Sequence, residues 1–275
     1  MSICKLTVVK MGVIGSSLIL DILMDERASR KDVQVRTVSS GVKMTPDVVD
    51  IVDRALEFET DVFLLISPVA HLEGPTEARK KLLTTGKPVI VVTDDGGKKI
   101  IEFAEKENFG YIIVNLDPMI GARKQYLDPT EMVLFNGLLL TSFACIGVVA
   151  RFQKILDDII EQVKSGGLKE LPRIVINPDD AVEAGNFSNP YAKAKARAAA
   201  EILKRIPTLT RRCTWKEKDP SVAAYLCAAA HELLKLASDT AQVAREIEKG
   251  NDTVVRLIHE RDGRVTVKKG LLEPL

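Results

Sequence analysis

The chain has 275 residues, 46 % of them hydrophobic and 28 % charged, enough to bury one sizeable core with a helical addition and keep a polar surface. Its formal net charge of +1 gives no bulk attraction to nucleic acid or to an anionic membrane. Four scattered cysteines form no C-x-x-C and three histidines have no zinc-type spacing, so no metal is expected and the thiols read as buried and reduced.

The first half alternates apolar runs with helical patterns. Residues 3–9 read as a strand, 16–27 as a helix, 33–39 as a strand, and 46–57 as a helix capped by Thr45. Residues 61–66 (D-V-F-L-L-I) form a continuous apolar strand, followed by a helix over 75–83. A second buried strand spans 88–93 (P-V-I-V-V-T), then a helix over 98–107 and a fifth strand over 111–114. Continuous apolarity means strands covered on both faces. Strand–helix alternation at this spacing predicts an α/β fold with a doubly wound, Rossmann-like parallel sheet.

The second half is helical. Asp128-Pro129 starts a long helix, continued by Phe152, Ile155, Leu156, Ile159, Ile160 and Val163. Residues 132–150 carry no charge and are long enough to span a bilayer. Interrupting Asn136, Gly137, Thr141, Ser142 and Gly147 favour instead a helix buried on nearly all sides, in the core or between subunits. Asn189-Pro190 opens an alanine-rich helix to about Arg205, with Lys193, Arg197 and Lys204 on one face, either solvated or a landing strip for an anionic tail. Asp219-Pro220 opens the last helix, with Leu226, Ala229, Leu233, Leu236, Val243 and Ile247 expected inward. Residues 254–259 and 265–268 flank a turn at 261–264 and predict a hairpin. The expected organisation is an α/β ligand-binding domain over 1–127, an added helix bundle over 128–250, and a small C-terminal β-hairpin with its tail over 251–275. The opening residues show no basic run with a cleavage site, so a cytoplasmic location is expected.

In a doubly wound sheet ligands bind outside the carboxyl ends of the strands. The first such loop carries Gly12, Gly15, Ser16 and Ser17, where glycines admit close backbone approach and a helix start favours an anion. The second carries Ser39, Ser40, Gly41 and Lys43, hydroxyls beside one cation. It lacks the acidic residue that holds an NAD ribose, which counts against NAD and leaves NADP or a phosphate-bearing deazaflavin open. Ser67, Pro68, His71 and Glu73 follow the third strand, Asp94 and Asp95 the fourth, and Asp117, Met119 and Arg123 the fifth. Each carboxylate is equally well read as a helix cap. No Ser-His-Asp or Cys-His set assembles, which excludes covalent hydrolysis of the usual kind.

Several segments together resemble one family. Asp25-Glu26-Arg27-Ala28 is similar to an L-D-E-R-A-D-R-E-D segment of the coenzyme F420-dependent methylenetetrahydromethanopterin dehydrogenases. Asp117-Pro118-Met119-Ile120-Gly121-Ala122-Arg123, followed by Tyr126-Leu127-Asp128-Pro129-Thr130-Glu131-Met132, is the most specific match. Asn189-Pro190-Tyr191-Ala192, Ala230-His231-Glu232-Leu233 and the N-D-x-V-x-R run at 251–256 also fit. The resemblance implies hydride transfer between a methylene-tetrahydromethanopterin-type carrier and coenzyme F420, no metal, and a homo-oligomer up to a hexamer. It suggests Glu73, Asp94 and Asp95 as carboxylates favouring the cationic methenyl product. It leaves Gly12, Gly15, Ser16, Ser17, Ser39, Ser40, Gly41, Lys43, Ser67 and Pro68 for the coenzyme, and His71, Asp117, Met119 and Arg123 for the carrier. The loops depart from the family pattern: Met11-Gly12-Val13-Ile14-Gly15 stands for C-G-N-L-G, and Thr93-Asp94-Asp95-Gly96 for G-D-A-P. Two alternatives stay open: an NAD(P)- or folate-type dehydrogenase of the same fold, and a non-catalytic pterin- or deazaflavin-binding homologue.

Overall fold

A computed structural model describes residues 2–118 and 128–274. The chain starts with β1 (Cys4–Lys10), α1 (Gly15–Ala28), β2 (Val33–Ser39), a 3₁₀ turn at Pro46–Val48 and α2 (Ile51–Leu56). It continues through β3 (Val62–Ile66), α3 (Glu73–Leu83), β4 (Val89–Asp94), a 3₁₀ stretch at Asp95–Ile100, α4 (Ile101–Ala104) and β5 (Gly110–Val114). Then come α5 (Pro129–Ile146), α6 (Val148–Lys164), β6 (Arg173–Ile176), α7 (Pro178–Ala184), α8 (Pro190–Arg211), a π-helical turn at Arg212–Lys216, α9 (Pro220–Gly250), β7 (Arg256–His259) and β8 (Val265–Lys268).

The sheet runs β2-β1-β3-β4-β5-β6, and β7 pairs with β8 as the expected hairpin. Pairing from β2 to β5 is parallel; Leu6, for example, lies between Val35 and Val62. The Tyr111 N–H donates to the Pro172 carbonyl and the Asn115 N–H to that of Ile176. Both partners advance by four residues, so β6 is parallel as well. Every residue of β3 and β4 is buried, as their unbroken apolar runs require. Because β1 touches both β2 and β3, the strand order reverses there, and a crevice belongs at their carboxyl ends.

The chain groups into two compact units, residues 1–114 with 152–175 and 259–265, and residues 115–151 with 176–258 and 266–275. This differs from the expected linear division. The reason is α6, whose Phe152, Ile155, Leu156, Ile159 and Ile160 are buried, and whose Asp157 accepts from buried Arg27 of α1 at 2.7 Å.

Several expected elements change on folding. The long helix from Asp128 breaks at Gly147, a left-handed residue (φ +105) whose missing side chain admits the Gly185 backbone. Strand β6 and helix α7 were not expected; four residues with no flanking repeat give a strand no periodic signal. The helix expected over 98–107 is a 3₁₀ stretch and one short turn, loosened by Gly96-Gly97. Within one chain the core does not cover helix α5 on all sides, which leaves the expected alternative of burial between subunits: Met132, Val133 and Leu134 are 39 %, 70 % and 55 % exposed. It is long and apolar enough to cross a membrane by composition, with a third of it buried. In α9 the buried stripe is Ala223, Leu226, Cys227, Ala230, Leu234, Ala237, Ala241 and Ala244, while Leu236 and Val243 are exposed. Alanines of α9 face a unit in which Ala192, Ala196, Ala199 and Ala200 of α8 are also buried, so close helix approach takes precedence over burying the larger leucine stripe. Lys193 and Arg197 of α8 pair with Glu183, Asp179 and Glu201.

One ionic network holds the edge of the first unit. Arg30 grips Asp32 through two bonds of 2.9 Å, and Lys164 reaches the same carboxylate at 2.8 Å. His259 lies between Glu26 and Asp157, 3.0 Å from each. The Arg30 hydrogen bond outweighs burial and holds Asp32 at about 2, below the ordinary 3.8. For Asp157 burial alone would raise the carboxyl, but hydrogen bonds and charge from His259 and Arg27 bring it below its ordinary value. Both carboxylates are therefore depressed in the fold, so their stabilisation is complete above the ordinary carboxylate range and is lost on acidification. Asp32→Asn should flatten the fall in urea midpoint between pH 3.8 and about 2. Asp157→Ala should cost about 1–3 kcal/mol at neutral pH by removing one of the two carboxylates on buried Arg27, whose other partner, Glu26 at 3.0 Å, remains. Urea titrations of both variants across pH check this; an unchanged acid limb in Asp32→Asn contradicts it.

Candidate functional site

The carboxyl ends of β1 to β4 all belong to the first unit. Three backbone bonds tie their loops together: Met11 N–H to Ile66 carbonyl, Ser40 N–H to Lys10 carbonyl, and Gly12 N–H to Gly41 carbonyl, at 2.9–3.0 Å. Gly12 adopts φ +85, and a side chain there would meet Pro68 at 2.8 Å and Met44 at 3.1 Å. Its glycine character is therefore required by the packing of the first, second and third loops on one another.

The expected site residues separate into two layers. Gly12, Gly15, Ser16, Ser17, Ser67, Pro68 and Asp94 are buried. Ser17 closes the first turn of α1, its hydroxyl donating to the Ile14 carbonyl at 2.6 Å. Ser67 donates to the Pro68 carbonyl at 3.1 Å. Ser16 and Ser17 are buried by the turn into α1 and Ser67 at the end of β3, so the hydroxyls of this layer lie beneath the surface. Ser39, Gly41, Lys43 and Glu73 are exposed, and Ser40, His71 and Asp95 are half-buried. The space beside Gly41 is open. Glu73 is the first residue of α3, and Asp95 pairs with Lys98. His71 keeps Nδ1 buried with no hydrogen-bond partner among the described residues, and burial lowers its ring below the ordinary value. Asp117 is wholly buried in the second unit. Met119 and Arg123 lie outside the described residues. Among the described residues no three His, Cys, Asp or Glu side chains converge as metal ligands do.

Asp94 is a clamp. Its Oδ1 accepts the Val69 N–H at 2.9 Å and the Thr93 hydroxyl at 3.4 Å, while the Thr93 hydroxyl accepts the Ala70 N–H at 3.3 Å. Burial, the largest influence, pushes the carboxyl above its ordinary value against these hydrogen bonds. The clamp holds Val69 at φ +46, a conformation disfavoured for a β-branched residue. Sequence reasoning missed Met44, Val69 and Thr93. Nothing marks a valine for positive φ, whereas the Gly96-Gly97 pair was a usable sign of a tight approach to Thr93.

A cavity of about 680 Å³ opens at the opposite, amino edge of the sheet, lined by Lys87, Pro88, Asn108, Lys169 and Arg173 among others. Helix N-termini and the topological switch favour the carboxyl edge instead.

Asp94→Ala leaves the Val69 N–H without its acceptor and should lower stability by about 1–3 kcal/mol. Asp94→Asn keeps an acceptor oxygen and should lose less. Thermal melts of the two variants check the order; equal losses contradict the clamp.

The family described as methylene-5,6,7,8-tetrahydromethanopterin dehydrogenase matches residues 4–275. The F420-dependent methylenetetrahydromethanopterin dehydrogenase of Archaeoglobus fulgidus is 45 % identical over 270 residues, 98 % of each chain. The enzyme of the same name from Methanothermobacter marburgensis is 42 % identical over 271 residues, again 98 % of each. A solved F420-dependent methylene-tetrahydromethanopterin dehydrogenase, in complex with methylene-tetrahydromethanopterin and coenzyme F420, superposes with a TM-score of 0.94 at 36 % identity over 99 % of both chains. With the order of elements and the matched residues both running the length of the chain, this protein belongs to the methylene-5,6,7,8-tetrahydromethanopterin dehydrogenase family.

Proposed function

We propose that this chain is an oxidoreductase that transfers a hydride between methylene-tetrahydromethanopterin and coenzyme F420, giving the methenyl carrier and reduced F420. The observation that carries the reading is the likeness to the solved complex, 36 % identical and superposing over 99 % of the chain. The absent ribose carboxylate after β2 supports it from the residues themselves: Ser39-Ser40-Gly41 has no Asp or Glu.

The residues present suit the coenzyme's chemistry. Ser39, Ser40, Gly41 and Lys43 offer hydroxyls, open space and a cation at the surface, where a phosphate-bearing tail would be held. When bound, F420 supplies the hydride-accepting carbon; the redox chemistry is its own. The chain's part is to hold two reactants in register, exclude water and balance charge. Glu73 is the exposed carboxylate placed to favour the methenyl cation, and half-buried Asp95 is the second. Asp94 stands behind them as support for the loop that carries His71. His71, with an unmet Nδ1, is assigned to the carrier. Asp117, Met119 and Arg123 keep that assignment on the motif alone.

We assign the active form to a cytoplasmic homo-oligomer, up to a hexamer, that covers Met132, Val133 and Leu134 of α5. Sedimentation of a stable monomer at micromolar concentration contradicts the assembly.

Turnover is tested by mixing the protein with methylene-tetrahydromethanopterin and F420 and following loss of the oxidised deazaflavin's absorbance. Activity with F420, none with NADP, and full activity after dialysis against a chelator are expected. Glu73→Gln should lower kcat about 10²-fold with an unchanged melting temperature. Lys43→Ala should raise KM for F420 about 3–10-fold and leave kcat near wild type. NADP turnover, or wild-type kinetics in both variants, contradicts these roles.

A further inference from the structure

Helix α8 contains Pro207, which has no N–H to donate. Its last turn loosens into the π-helical turn Arg212–Lys216, closed by the Glu217 N–H on the Arg212 carbonyl at 2.9 Å. The turn swings Cys213 inward. Cys227, in the third turn of α9, meets it with 2.7 Å between the two sulfurs. No disulfide joins them, and they are 0 % and 2 % exposed. Ala223 and Leu226 complete a small apolar cluster around them. Cys4 and Cys145 are buried at other places in the fold, so 213 and 227 are the pair that shares one cluster.

We propose that Cys213 and Cys227 are a disulfide-forming pair, a reversible oxidation site that staples the π-helical turn to α9. The two side chains are already neighbours, and a disulfide needs a bond of about 2.05 Å, so closure asks for a small movement of two side chains. Two S–H bonds break and one S–S bond forms. With hydrogen peroxide as oxidant, its O–O bond accepts the two electrons and, with two protons, leaves as two waters. One thiol passes through a sulfenic acid that the other displaces. Access comes from local opening of the turn, because Arg212, Trp215 and Lys216 around Cys213 are exposed. The bond closes a segment separated by 14 positions, which restricts the unfolded chain.

The test uses the full-length protein, reduced, then treated with hydrogen peroxide or left untreated, and trapped with N-ethylmaleimide in denaturant. After peroxide, mass spectrometry should find two maleimides rather than four, and one linked peptide pair carrying Cys213 and Cys227. Dithiothreitol should restore all four. The melting temperature should rise by about 5–10 °C on oxidation, the scale for a loop of this length in a unit of this size. Cys227→Ser should abolish the linked pair and the rise. Four maleimides after peroxide, a link to Cys4 or Cys145, or a rise that persists in Cys227→Ser overturns the proposal.

Discussion

The carboxyl edge of the sheet depends on β1 being bonded on both sides. Because β2 and β3 both pair with it, their loops flank the loop that leaves β1 and pack against it where the strand ends. Gly12 at φ +85 is the point of contact, with Pro68 and Met44 against it. A buried polar edge of this kind has to satisfy its own backbone. The Met11, Gly12 and Ser40 N–H groups find carbonyls there, and the Val69 N–H finds Asp94. The result is a rigid inner layer that serves the exposed one: Ser39, Gly41, Lys43 and Glu73 stand on loops whose bases cannot shift independently.

Such rigidity matters for this chemistry. A hydride passes directly between two bound molecules, so little is asked of acids and bases and much of position. The carboxyl edge proposed to hold the reactants, built from backbone bonds, a buried carboxylate and one close glycine contact, would meet that demand. The ionic network around Arg27, Asp157 and His259 plays the corresponding part at the far end of α1, fastening α6 to it. There the depressed carboxylates make the attachment sensitive to acid.

Much of the fold was legible in the sequence because its strands are apolar without interruption. Val62–Ile66 and Val89–Asp94 need no partner to be read as buried. Strand β6 was not legible: Arg173–Ile176 is four residues long and acquires strand geometry only from its bonds beside β5. Nor was the α9 face, since alanine carries little hydropathy and gains its burial from the closeness of α8. For the site, the loops were legible from topology, but not which side chains turn inward. Ser16 and Ser17 read like Ser39 and Ser40 in sequence, whereas the fold packs the first pair into the start of α1 and leaves the second pair nearer the surface. Asp94 and Glu73 look alike as carboxylates after consecutive strands. Only the fold separates the clamp from the exposed group.

On the proposed function, the coenzyme is held by the exposed layer at the carboxyl edge. A crystal structure of this chain with F420 tests it most directly. It should show the coenzyme beside the ends of β1 to β4, with polar contacts to Ser39, Ser40, Gly41 or Lys43 and with Asp94 still on the Val69 N–H. Coenzyme bound instead in the amino-edge cavity of Lys87, Lys169 and Arg173 would contradict it.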